Sequence, residues 1–211
     1  MKFSDCNPSS DLCFGNYDRG IPITDPSGKP FQIQIPRVYA PFGLSGFPNK
    51  FGPVKYNIDA SMRGWNEDGS YMNKFFNCLQ DIETVVIDHV RALGVAGPHP
   101  EQSFNSNVKR SDRYDPKFRI KVDNKTAFFD KANNVITPDE LAEGIFKGYS
   151  FTALVELKNV YFFNRQMGLT WTMVQAKMYE PALRRDIEPP SFEDDETVKP
   201  SEKLGGLKFL V

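Results

Sequence analysis

Long apolar runs are missing from this 211-residue sequence: no stretch approaches the roughly 18 consecutive apolar residues of a membrane-spanning helix. A membrane protein is therefore not expected. Met1 to Asp11 lacks both the basic start and the apolar centre of a secretory leader, so the expected location is intracellular, not secreted. Cysteine is scarce. Three residues, an odd number, cannot frame a disulfide scaffold and point to reduced thiols. Histidine is scarcer, with two residues. His89 lies in a helical pattern beside Asp88 and His99 between two prolines, so both read as structural or surface residues. Cys6 and Cys13 have no second ligand pair nearby, whereas a zinc site wants four close-set ligands. Cys78 falls on an apolar helical stripe and reads as core. Phosphate-binding loops, dinucleotide fingerprints and nucleophile elbows are absent as well. No enzyme, cofactor or metal is expected.

Net charge is also lacking, at −1 from 26 bases and 27 acids, but its distribution is uneven. The 26 residues after Arg185 hold seven acids and three bases, net −4, which leaves +3 on the preceding body. Within that body, Lys109 to Lys125 carries seven bases and three acids, a local +4. A cationic segment in a folded body followed by an acidic tail suits a protein that handles polyanions.

Hydrophobic residues make up 40% of the chain and aromatics 13%, enough for a globular core. Residues 1–30, rich in Pro, Gly, Asp, Asn and Ser, show no sustained period and read as an irregular arm with a turn at Asp25-Pro26-Ser27-Gly28. Residues 31–180 read as one domain. Phe31 to Ile35 and Val54 to Asp59 alternate apolar and polar residues as half-buried strands do, while Tyr39 to Pro53 reads as loop. From Ser70 the period changes. Met72, Phe75, Phe76, Leu79, Ile82, Val86, Val90 and Leu93 trace one helix face, with Ser70 as cap and Gly94 as stop. Gly94 to Asn107 reads as loop, and Phe118 to Val122 alternates so that Arg119 and Lys121 share the face opposite the core. Thr126 to Phe129 suits a short strand, and Thr137 to Leu141 a brief helix. Two long strands follow, Tyr149 to Phe163 and Leu169 to Tyr179, joined by a hairpin loop over Asn164 to Gly168. Residues 181–211 read as a flexible acidic tail. The expected fold is mainly β with one long helix: a small barrel, closure being the compact way to remove sheet edges, or an open sheet with the helix packed on it, which the pattern alone does not separate.

Nucleic-acid binding has the best chemical support. Holding a single strand without sequence preference takes cations along the phosphates and flat side chains under the bases. Lys109, Arg110, Arg113, Lys117, Arg119 and Lys121 supply the first, and Tyr114 the second. Trp65, in a polar loop beside Gly64, is a further stacking candidate. Phe118 and Trp171 fall on apolar strand faces and read as core. The alternative from another class is a non-enzymatic virion structural or interaction protein whose Pro/Gly/Phe-rich first 53 residues wrap neighbouring subunits.

Three stretches carry a family resemblance. Lys147-Gly148 leads into the strand Ala153 to Phe162; Gly168-Leu169-Thr170-Trp171, with Gln175, opens the next; and Tyr114 to Lys121 forms a basic strand. Together they resemble the phage-type single-stranded DNA-binding proteins of large nucleocytoplasmic DNA viruses, in which an FG-[VL]-T-W-x-x-x-Q strand follows a KG…L…W strand. Position 167 is Met where that pattern has an aromatic residue. The resemblance implies a five-stranded OB-fold barrel with single-stranded DNA across its face. It also implies a role in viral DNA replication, recombination and repair, in the host cytoplasm or nucleus where viral DNA replicates. The tail ends in neutral apolar residues where that family has an acidic run finishing in an aromatic residue, a departure that weighs against the contact with replication proteins the resemblance otherwise implies for it; self-association is compatible with the sequence but not indicated by it.

Overall fold

A computed structural model describes residues 1–48, 52, 54–137 and 141–181. The chain opens with a 3-10 turn at Phe3–Asp5, a one-turn helix α1 (Pro8–Asp11) and short strands β1 (Cys13–Phe14) and β2 (Gly20–Thr24). Then come β3 (Phe31–Gln34), β4 (Val38–Tyr39), β5 (Leu44–Phe47) and β6 (Lys55–Ser61). The long helix α2 (Tyr71–Leu93) is followed by α3 (Pro100–Ser103), β7 (Phe104–Asn105) and β8 (Val108–Lys109). The chain returns through β9 (Lys117–Val122), β10 (Ala127–Phe129) and β11 (Val135–Ile136) to the long pair β12 (Ser150–Phe163) and β13 (Gln166–Tyr179).

Five stretches close a barrel. β3 and β4 together form one wall, each pairing antiparallel with β12. β4 meets β6 at Tyr39 and Ser61, and β6 runs antiparallel to β9 over six residue pairs. β9 touches β13 in parallel at Lys121 and Thr172, and β13 returns to β12. This is the OB-like barrel expected from the sequence, with α2 inserted between β6 and β9.

The alternation in β9 is realised: Phe118, Ile120 and Val122 are buried, while Lys117, Arg119 and Lys121 face outward. A row of edge-to-face rings ties the layers together, from Phe3 to Phe75 (5.2 Å), Phe75 to Phe118 (5.8 Å) and Phe118 to Trp171 (5.6 Å). α2 thus seats its stripe on the barrel through aromatic contacts that add to simple area burial. Ser70 caps it, its Oγ accepting from the Asn73 amide (3.0 Å), and Gly94 ends it in the left-handed region. The β12–β13 turn is tighter than expected. Asn164 and Arg165, both at positive φ, make a two-residue connection of the type that matches strand twist, so β13 begins at Gln166. Gly168 needs its bare Cα, since a Cβ there would lie 2.8 Å from the Asn105 carbonyl of β7.

Two expectations need correction. The first 30 residues do contain mostly short elements and the turn at Asp25 to Gly28, but they are no peripheral arm. Ile21 and Ile23 are buried, β2 pairs with β12, and Met1 to Pro181 forms one compact unit. Pro22, standing exposed between the two isoleucines, hides a strand that alternates as well as any other. Tyr39 to Pro53 likewise contains a strand, β5, which pairs with β6 from Leu44 opposite Ile58 to Phe47 opposite Lys55. Its central Ser45-Gly46 carries no β-propensity, so pairing rather than propensity makes it. The core of the short helix expected at 137–141 and the acidic tail at 182–211 lie outside the described residues.

Candidate nucleic-acid interface

The outward faces of β6 and β9 form a small grid. Asn57 stands opposite Lys121, Asp59 opposite Arg119, and Ser61 opposite Lys117; β5 extends it with Phe47 opposite Lys55. Cations and aromatic rings alternate along the grid. Lys117 lies over the Phe42 ring (4.7 Å) and Arg119 over Phe47 (5.9 Å). Phe42 is 53% exposed and Phe47 42%, so both keep ring surface available to a ligand. Phe42 is held there by its neighbour Gly43. At φ +67° that residue brings the chain so close to the Ile145 carbonyl that a Cβ would lie 2.2 Å from it.

A groove of about 730 Å³ opens at the end of this grid, between Phe47, Val54, Tyr56, Lys121, Leu141 and Thr172. Lys55 and Lys121 line it, as do Asn57, Asp123 and Asn124. The Lys121 ammonium is pushed below the ordinary lysine range, first by partial burial and then by the like charges of Lys55 and Lys158. Lys121 is thus set against like charges from two other strands, and none of these three lysines has an ion-pair partner among the described residues. A phosphate entering there would relieve that repulsion.

Beyond the other end of β9 lies a second cavity of about 600 Å³, and it gathers four of the residues expected from sequence: Trp65, Arg110, Arg113 and Tyr114. Tyr114 is 71% exposed and Arg113 is exposed as well. Trp65 is less available. Its ring rests on Phe76 (4.8 Å), its carbonyl accepts from Asn73 Nδ2 (2.7 Å), and the Arg110 guanidinium sits 5.7 Å away over the ring. Arg110 also donates to Gln80 Oε1 (3.0 Å) and lies over Phe76 (5.0 Å), which orients it along α2.

The remaining expected residues are engaged within the protein. Arg119 makes a bidentate ion pair with Asp59 (2.8 and 3.0 Å), a carboxylate only 11% exposed at its side chain. The Asp59 bond holds the guanidinium above its usual range, and the pair is electrically neutral. Lys109 donates to Asn105 Oδ1, and its ammonium is lowered by burial and by Arg119 nearby. Phe118 and Trp171 are buried, as their strand faces require. His89 stacks flat on Phe14 (4.0 Å), and burial lowers its pKa. No group of three or more His, Cys, Asp or Glu side chains suited to a metal occurs among the described residues.

Residues missed by sequence reasoning are Phe42, Phe47, Lys55, Tyr56 and Lys158. For Phe42 and Phe47 the one visible signal is the alternation of aromatics with Gly and Pro over residues 39–53, which reads as loop; Lys55 and Tyr56 fall in the expected strand Val54 to Asp59 and Lys158 in the expected strand Tyr149 to Phe163, where nothing local marks them as site residues.

No family model matches the sequence, nor does any curated protein. Solved structures do. The single-stranded DNA-binding protein gp2.5 of bacteriophage T7 superposes with a TM-score of 0.52 at 13% identity, over 81% of this chain and 100% of that one. The single-stranded DNA-binding protein of bacteriophage Enc34, solved in complex with ssDNA, gives a TM-score of 0.50 at 12% identity, over 81% of this chain and 96% of its own. At such identities the likeness shows a shared fold.

Proposed function

We propose that this chain is a non-catalytic, sequence-independent single-stranded DNA-binding protein acting in the replication, recombination and repair of viral DNA. The observation that carries the reading is the outward grid of β5, β6 and β9, where aromatic rings and cations alternate and run into a groove lined by Lys55 and Lys121. Rings take bases by stacking whatever their identity, and lysines take phosphates. Both phage proteins of the same fold are single-stranded DNA-binding proteins, one of them seen with ssDNA bound. The strands resembling the proteins of large nucleocytoplasmic DNA viruses, β9, β12 and β13, are walls of this same barrel. Phosphates are held by Lys55, Lys121 and Lys158, with Lys117, Arg110 and Arg113 extending the track toward Tyr114. Phe42, Phe47 and Tyr114 stack. The acidic residues after Arg185 are the segment suited to recruiting basic partners of the replication machinery.

The rival reading, a virion component whose first 53 residues wrap neighbours, loses its motive: β2, β3 and β5 are spent on pairing within their own chain.

Fluorescence titration with a single-stranded oligonucleotide at two salt concentrations tests the proposal. Binding should weaken as salt rises, with a log–log slope of about −0.7 per phosphate contacted. Absence of binding at low salt, or binding indifferent to salt, overturns it.

A further inference from the structure

The groove at the end of β9 holds polar groups that phosphate binding leaves unused. One register row crosses the outer face of the barrel there: Asn57 of β6 stands opposite Lys121 of β9, Lys121 opposite Thr172 of β13, and Thr172 opposite Glu156 of β12. Glu156 is already engaged, its Oε2 accepting from Gln32 Nε2 (3.1 Å). The other three line the groove, and Thr172 and Val122, the buried members of its lining, form the floor. Thr172 turns away from the core, since its neighbours Trp171 and Met173 fill the inner face, yet it is only 7% exposed. It is the one buried polar or charged side chain among the described residues. Neither its hydroxyl nor the Asn57 amide has a hydrogen-bond partner among them.

We propose that this groove encloses one base of the bound strand and favours a keto base, thymine or guanine, over an amino base, so that a base preference overlies sequence-independent affinity. The inference rests on the reading of the chain as a single-stranded DNA-binding protein. Phe47, Val54, Tyr56 and Leu141 give the groove apolar walls suited to the flat faces of a base, and its volume of about 730 Å³ is that of a small-ligand site. The row of polar side chains supplies contacts to the base edge. Lys121 has three donors and no acceptor, so it can hold a phosphate and still donate to a carbonyl, O4 of thymine or O6 of guanine. Cytosine and adenine carry an amino group at that position, to which an ammonium offers nothing. Beside the carbonyl, both keto bases carry a ring N–H. The Thr172 hydroxyl and the Asn57 amide carbonyl can each accept from it. A buried hydroxyl left without a partner is unfavourable, and a base that bonds it removes that cost. Asp123, the one carboxylate lining the groove, accepts from the Lys125 amide through Oδ1 (2.9 Å) and so closes its own turn.

The test titrates the full chain at low salt with three labelled homopolymers of about 15 nucleotides, oligothymidylate, oligodeoxyuridylate and oligodeoxycytidylate, and reads anisotropy. Using pyrimidines alone keeps base size constant, and deoxyuridylate separates the carbonyl from the thymine methyl. Thymidylate and deoxyuridylate should both bind about 10-fold more tightly than deoxycytidylate. Thr172→Val, which removes the hydroxyl and keeps the shape, should shrink that ratio to within about 2-fold without lowering Tm. Asn57→Ala, on the outer face of β6, should narrow it as well and serves if the threonine variant folds poorly. Equal affinity for the three homopolymers, a preference for thymidylate that deoxyuridylate does not share, or a full preference kept by both variants overturns the base selection and leaves single-stranded DNA binding standing. Failure to bind any of the three overturns both.

Discussion

The two cavities at either end of β9 both hold cations, yet they are built in opposite ways. Around Trp65, Arg110, Arg113 and Tyr114 the charges come mainly from one contiguous loop and mix with Asp112 and Asp115. In the groove, Lys55 of β6 and Lys121 of β9 meet, and Lys121 also faces the like charge of Lys158 on β12. The two arginines of the loop are thus matched by its two aspartates, whereas the two lysines lining the groove meet one aspartate, Asp123, and keep a net positive charge. Between them, Arg119 belongs to the basic segment by sequence but is matched by Asp59, sixty residues away. On the proposed function, the groove is expected to be the stronger phosphate site and the loop the place for stacking.

Reversing two groove charges, Lys55→Glu with Lys121→Glu, should cause the largest change. Affinity for a single-stranded oligonucleotide should drop by about 100-fold at low salt, and the salt slope should flatten by at least ~1.4. A loss no greater than that of Arg113→Ala would break the comparison. Tyr114→Ala should weaken binding by about 10-fold through lost stacking while leaving Tm unchanged, since the ring is mostly exposed. Anisotropy titration and a thermal melt on one preparation check both halves. Asp59→Asn should raise affinity by roughly 3-fold, because it releases the Arg119 charge while the amide still accepts one bond. Weaker binding by that variant would place Arg119 outside the DNA path.

The smallest effect concerns pH. The folded pKa of Lys121 is lowered, so below the ordinary lysine value the unfolded chain binds more protons than the native one. Stability should then rise slightly as pH climbs through that window, while DNA affinity falls as the ammonium is lost. Lys121→Arg, whose guanidinium stays charged, should abolish the decline in affinity between about pH 7 and pH 10. Titrations across that range compare the two proteins directly.

Much of the fold was legible wherever a period ran long enough. α2 was readable from eight apolar residues and its two caps, and β9, β12 and β13 from alternation. β2 and β5 were not. The first alternates but carries Pro22 at its centre and the second contains Gly46, so propensity marks neither, and both exist because a longer strand offers its edge. The site divided in the same manner. Tyr114, Arg113 and Arg110 were readable as a mixed cation–aromatic run, and they share one cavity. Phe42, Phe47, Lys55 and Lys158 lie far from that run in sequence and reach the interface only through strand pairing.

By itself the sequence determined which side of each periodic strand faces inward, because a half-buried strand sorts apolar from polar residues two by two. It also determined the split between a cationic body and acidic end, and the long helix. Only the tertiary structure decided which cations keep their charge. Neutralisation of Arg119 by Asp59 and crowding of Lys121 by Lys55 and Lys158 depend on strand register and barrel closure, and Coulomb interactions follow distance in space rather than along the chain.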